Sequence, residues 1–223
     1  MQDISCVTEN NFSGLLALKK AISPTWARVL LRTAAYYGRL EMCQWLHTTH
    51  NLNSRDVNAD TLIGAAQKGH LDVCRWLHAT FRLTRADACA GALRHAAANG
   101  HLDVCQWLQE AFKLGPEDAR ACNNYALRYA AENGHLDVCQ WLHATFQLTT
   151  EDARANDNYA LRWAAYGGHL DACQWLHATF RLTLAEWKAC AWCAKPGVAV
   201  WIRRLTCAAR LRELAAVLTT LVA

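Results

Sequence analysis

Apolar positions in this chain follow helical spacing, and they follow it in copies. In "YALRYAAENGHLDVCQWLHATF" (residues 125–146), Leu127, Ala130 and Ala131 fall at i, i+3 and i+4, the spacing that lines one helix face. Leu136, Cys139 and Trp141 or Leu142 make a second stripe. Gly134 stands between the stripes, as a glycine past a helix end does when the chain reverses there. Asp137 lies in the first turn of the second stripe, where a carboxylate suits the positive end of the helix dipole. The pattern predicts a helix, a tight turn and a second helix.

The same pattern recurs five times. The turn glycine falls at Gly38, Gly69, Gly100, Gly134 and Gly168, in steps of 31, 31, 34 and 34 residues. "RLEMCQWLH", "HLDVCRWLH", "HLDVCQWLQ", "HLDVCQWLH" and "HLDACQWLH" follow it in turn. A lone hairpin cannot bury both stripes, so consecutive hairpins are expected to stack into one continuous core. The connectors repeat too. Thr84, Thr149 and Thr183 each precede an acid by three residues (Asp87, Asp152, Glu186), and Gly115-Pro116 leads into Glu117 and Asp118. These are helix-start spacings, so each connector is expected to open with a short helical turn.

The expected organisation is an N-terminal half-repeat cap (1–28), five repeats (29–182), and a degenerate sixth repeat with a closing helix (183–223). In that sixth unit Gly197 is read as the turn glycine. Leu211, Leu214, Ala215, Leu218 and Val222 then share one face of a final helix.

Composition narrows the function classes. Apolar residues make up 53% and charged residues 19% of the 223, a globular balance. Three prolines with abundant Ala and Leu favour helices over strands. The net charge of +4 comes without a clustered basic run, so no nucleic-acid partner is expected. Eleven cysteines, an odd number set mostly in apolar helical words, point to reduced thiols inside the cell rather than a disulfide framework. The N-terminus lacks the signature of a signal peptide, and "LAAVLTTLVA" is too short to span a bilayer. No membrane partner is expected, and the chain reads as a monomer.

The words "ALRYAAENGHLDVCQWL" resemble the ankyrin repeat at the Leu, Ala-Ala, Gly-His-Leu and following apolar positions. The resemblance covers about Val29 to Phe180. Departures are the loss of the Thr-Pro phrase, replaced at Tyr125-Ala126 and Tyr159-Ala160, and of its histidine, replaced by Arg32, Arg94, Arg128 and Arg162 or by Ile63. No glycine-containing β-hairpin is evident. The style is similar to the divergent arrays encoded by large DNA viruses of amoebae. The resemblance implies an all-α, ankyrin-like solenoid with β-hairpins reduced or absent, used to bind another protein on its concave side. It also implies which residues would do so, namely those just before each turn glycine: Tyr36, Tyr37, Gln67, Lys68, Asn99, Glu132, Asn133 and Tyr166. These differ among copies while the packing words do not.

Other chemistry is weaker. His135, Cys139 and His143 (with His70, Cys74, His78 and His169, Cys173, His177) share helix faces, but each unit offers one cysteine on the core stripe where structural zinc wants four ligands. Cys190 and Cys193 form a lone C-x-x-C without a second pair. The arginine row is either a basic ladder or a set of bonds to neighbouring connectors. The repeated tryptophans read mostly as core. No catalytic residue, metal or cofactor is expected. A non-catalytic adaptor or host-factor competitor is the leading function. A structural repeat protein without a specific partner, or a thiol or zinc protein, stays open.

Overall fold

The computed structural model describes residues 22–89 and 91–222, and among them every regular element is a helix. They fall into two compact units that divide between Ala121 and Cys122. The expected half-repeat lies outside the described residues except at its end. There Ser23 caps a helix whose Pro24 takes the first turn, with the Ser23 Oγ accepting from the Trp26 N–H at 3.2 Å. The helix that carries Val29 therefore begins at Pro24.

In the N-terminal unit, α1 (Pro24–Tyr36), α3 (Ala59–Gln67) and α6 (Ala92–Ala98) are the first helices of three hairpins; α2 (Leu40–His50), α4 (Leu71–Phe81) and α7 (Leu102–Phe112) are the second. First helices pack on first helices and second on second. The connectors form the short helices α5 (Arg85–Cys89) and α8 (Pro116–Ala119). The C-terminal unit holds most of α9 (Ala121–Glu132), then α10 (Leu136–Phe146), α11 (Thr150–Gly167), α12 (Leu170–Phe180), α13 (Leu184–Cys190) and α14 (Pro196–Val222). The connector caps form as spaced. Thr84, Gly115, Thr149 and Thr183 N–H groups donate to Asp87, Asp118, Asp152 and Glu186 at 2.6–2.8 Å.

The first-helix stripe is as expected, with Leu127, Ala130, Ala131, Leu161, Ala164 and Ala165 all buried. The second stripe shifts: its buried residues are Val138, Cys139, Leu142 and Phe146, while Leu136 and Trp141 are only half-buried. The five tryptophans of the second helices are half-buried rather than core, and Trp76, Trp107 and Trp175 are rungs between copies. His47 meets the edges of Trp76 and Phe81 at 6.0 and 5.3 Å; His78 does the same with Trp107 and Phe112, and His143 with Trp175 and Phe180. Each histidine thus fills the angle between the next copy's indole and phenyl rings.

The sixth unit keeps this register by a different route. Val198 and Ile202 are buried where Ala172 and Leu176 are in α12, and Trp201 meets His177 at 5.9 Å as Trp175 meets His143. The residue in the turn-histidine place is Lys195, whose side chain lies against Gly168 and whose N–H donates to the Ala165 carbonyl at 3.0 Å. Gly197 therefore sits inside α14 and is not the turn glycine. Burial of Val198 and Ile202, not the glycine, sets where the helix begins. Leu211, expected on the closing face, is 67% exposed, and the side chains of Leu214, Leu218 and Val222 lie outside the described residues.

The 34-residue copies carry three residues more than the 31-residue ones, and the structure shows where they go. Cys122, Asn123 and Asn124 are all left-handed (φ 54 to 58), as are Asn156, Asp157 and Asn158 (φ 56 to 58). Three such residues in a row make about one left-handed turn, which returns the chain to its register. Left-handed backbone costs about 1–2 kcal/mol per ordinary residue and least for Asn and Asp, which explains the Asn-rich words. Deleting Asn156, Asp157 and Asn158 together is expected to leave a folded chain, with the melting midpoint by circular dichroism lowered no more than about 2–4 °C. Deleting Asp157 alone rotates the following helix by about 100° and should cost several times more. Equal losses from both deletions would show that the triplet is not a self-contained turn.

Candidate functional site

Each copy presents the end of its first helix, held by the turn that follows. Gly38, Gly69, Gly100, Gly134 and Gly168 all have φ between 68° and 84°. In the N-terminal unit the next copy's histidine closes over the glycine. The His101 Nε2–H donates to the Gln67 carbonyl at 3.0 Å, and its ring lies where a Gly69 Cβ would sit. His70 does the same over Gly38; burial holds its pKa below the usual imidazole value against a hydrogen bond to the Tyr36 backbone. The residues just before the glycine are thereby fixed in place.

In the N-terminal unit Tyr36 and Tyr37 meet edge to face at 5.3 Å, and the Lys68 ammonium lies 5.0 Å over the Tyr36 ring. Tyr37 is 45% exposed. A shallow cavity of about 310 Å³ adjoins them, lined by Arg32, Thr33, Asp60 and Gly64. Gln67 is half-buried with its carbonyl taken by His101, and Asn99 turns its amide back to the His95 carbonyl at 2.8 Å. Of the expected residues in this unit, Tyr36, Tyr37 and Lys68 gather into one patch and Gln67 and Asn99 do not join it.

In the C-terminal unit the exposed face is an aromatic row along α9 and α11. Tyr125 stacks on Tyr129 at 4.0 Å; Tyr129 meets Tyr159 at 5.4 Å, Tyr159 meets Trp163 at 5.4 Å, and Trp163 meets Tyr166 at 5.2 Å. The Tyr159 hydroxyl donates to Glu132 Oε2 at 2.9 Å. Burial, then hydrogen bonds with Tyr129 and Glu132, push the Tyr159 phenol well above its usual range. Glu132 is therefore engaged within the chain. Asn133 and Tyr166 are exposed, Tyr166 at the end of the row. Beyond it lies a cavity of about 410 Å³ lined by Arg162, Trp163, Tyr166, Trp192 and Cys193, with Trp192 79% exposed. Trp163 and Trp192 were not among the expected site residues. Trp163 occupies the variable place of "ALR-x-AA", held by His95 and Tyr129 in other copies, and that variation was the signal for it.

The arginine row resolves differently at each place. Arg128 is buried, donates to the Cys122 carbonyl at 3.0 Å and lies 4.6 Å over the Tyr159 ring. It serves the left-handed turn, as the connector-bonding reading expects. Arg162 is half-buried beside the aromatic cavity, and Arg32 is exposed.

The thiols of the core are chemically muted. Cys43, Cys74 and Cys173 are fully buried, and burial pushes each thiol up to about 12. No group of three or more His, Cys, Asp or Glu side chains comes together as a metal site among the described residues. The Cys193 thiol donates to the Cys190 carbonyl at 3.1 Å. No helix among the described residues is long and apolar enough to cross a membrane.

A family model described as ankyrin repeats (three copies) matches residues 31–118 and again 93–183. The X-ray structure of an ankyrin repeat family protein from Legionella pneumophila is similar at 25% identity and a TM-score of 0.57. The alignment covers 84% of this chain and 56% of that one, so this chain spans little more than half of that protein's length. No curated protein matches.

Proposed function

This chain belongs to the ankyrin-repeat family, whose repeats are generally protein-interaction modules and typically not enzymes, and from that premise we propose that it binds a partner protein on the first-helix face of its repeats. In this reading it acts without catalysis, as an adaptor or as a competitor for a host factor, and works as a monomer. The single observation that carries the reading is the placing of aromatic and charged side chains at first-helix ends that vary among copies. Tyr36, Tyr37 and Lys68 form one such group, and Trp163, Tyr166 and Trp192 line another. Tyrosine and tryptophan held half in water are the residue types that anchor protein interfaces. Gln67, Asn99, Glu132 and Asn133 fit the rim of such a surface, where contacts contribute little energy. A thiol or zinc protein is the poorer reading, because Cys43, Cys74, Cys139 and Cys173 sit in the core with their protons held. Cysteines placed as small core residues at Cys43, Cys74, Cys139 and Cys173 favour a reducing compartment.

The test is a paired capture. Purified chain and a Tyr37→Ser, Tyr166→Ser double variant, both confirmed folded by circular dichroism, are used to retrieve proteins from cell lysate. A partner bound by the first and lost by the second, and then bound directly when purified, supports the reading. Identical retrieval by both, or none by either, sinks it.

A further inference from the structure

Resting on that reading, we infer that the cavity of Arg162, Trp163, Tyr166, Trp192 and Cys193 takes an acidic, apolar peptide segment of the partner. One Asp or Glu side chain meets the Arg162 guanidinium, and a neighbouring aromatic or aliphatic side chain lies among Trp163, Tyr166 and Trp192.

The charge argument comes from comparing two equivalent arginines. Arg128 and Arg162 occupy the same place in consecutive copies. The Arg128 guanidinium is occupied, by the Cys122 carbonyl and by the face of Tyr159. The Arg162 guanidinium has no acceptor among the described residues, yet it is half-buried at the cavity wall. A partly desolvated guanidinium without a partner favours a carboxylate, which it can grip with two parallel hydrogen bonds. It equally disfavours a cationic ligand among the rings.

The shape argument comes from the rings. Trp163 and Tyr166 meet edge to face at 76° and form one wall. Trp192, on the turn after α13 and 79% exposed, also lines the cavity. The thiol of Cys193, tied to the Cys190 carbonyl, holds that turn. At about 410 Å³ the space sits at the small end of ligand cavities and suits one or two side chains. Nucleic acid is the poorer occupant. Neighbouring rings of the row touch at 4.0–5.4 Å and leave no slot for a base. Glu132, bonded to Tyr159, adds a carboxylate beside the row that repels phosphate.

The experiment selects a random dodecapeptide display library on the whole chain. Enriched peptides are then labelled and titrated by fluorescence polarisation against the parent chain and three variants: Arg162→Gln, Trp192→Ala and Tyr37→Ser. Circular dichroism melts confirm that each variant is folded. Enriched peptides should carry Asp or Glu within a residue or two of Trp, Phe, Leu or Ile. Arg162→Gln and Trp192→Ala should each weaken them about tenfold. Peptides rich in Lys or Arg, peptides without acids, or indifference to both Arg162→Gln and Trp192→Ala would each overturn the inference. So would labelled oligouridylate binding with the same sensitivity. Peptides that respond to Tyr37→Ser alone would overturn this site and leave the interaction reading standing. If no peptide is enriched the inference fails, and if lysate capture is also empty the interaction reading fails with it.

Discussion

Replacing Trp187 by alanine is expected to destabilise the C-terminal unit by about 3–5 kcal/mol, the range for deleting a large aromatic side chain from a packed core. Trp187 is 0% exposed and heads the largest fully buried side chains. Its indole does two jobs. It meets Trp201 edge-on at 4.7 Å and His177 at 6.0 Å, filling the space that a phenyl ring fills in the four copies before it. In α12 that phenyl is Phe180; the matching residue of α14 is Thr206, which cannot fill it. The indole N–H also donates to His177 Nδ1 at 3.0 Å, so alanine leaves both a void and an unpaired ring nitrogen. Because a repeat array is stabilised between nearest neighbours, the loss should be local. Hydrogen exchange should quicken in α12, α13 and the start of α14, with no change in α3 and α4. Trp192→Ala, at an exposed place, should fall within about 0.5 kcal/mol of the parent. A urea-unfolding cost below about 1 kcal/mol for Trp187→Ala would show that the sixth unit is not packed as described.

The second large effect is at Gly69. Alanine there has to adopt φ 77°, at about 1–2 kcal/mol, and its Cβ would lie 2.5 Å from His101 Nδ1. The ring must leave, and its hydrogen bond to the Gln67 carbonyl goes with it, at about 1 kcal/mol more. Gly69→Ala should therefore cost about 2–3 kcal/mol in urea unfolding. In a His101→Ala background the same change should cost only its backbone share, because the ring is already gone. The pair should thus be coupled by about 1 kcal/mol. Strict additivity would mean that the ring does not sit over the glycine.

The helix pairs, the turn glycines and the connector caps were legible because each rests on local chemistry. A 3.6-residue stripe, a residue tolerant of positive φ and a Thr three places before an acid act within one or two turns of chain. The chain reversals after the second helices were not legible. Asn51, Arg82, Lys113, Gln147 and Arg181 all take the left-handed cap conformation there (φ 48–53), though only Asn51 is a residue type that suggests it. The driver is the leucine that follows: Leu52, Leu83, Leu114, Leu148 and Leu182 are each no more than 7% exposed. Burying a leucine contributes about 1.5–3 kcal/mol, enough to offset one strained residue, but that burial depends on a neighbouring copy.

The site was legible in part. Tyr36, Tyr37, Lys68 and Tyr166 could be picked out as variable places beside an invariant turn. That Glu132 is bound by Tyr159 and that Trp192 comes to the same cavity as Trp163 depend on residues 27 and 29 positions apart. No local pattern encodes such a meeting.

The amino-acid order alone determined that this protein is a run of stacked helical hairpins, because hydrophobic period and cap chemistry are properties of adjacent residues. Tertiary packing alone decided which stripe residues are core, that Lys195 rather than Gly197 marks the last turn, and which of two equivalent arginines has no acceptor among the described residues. Those outcomes are set by the space and the acceptors that one copy offers the next, and they exist only once the copies have come together.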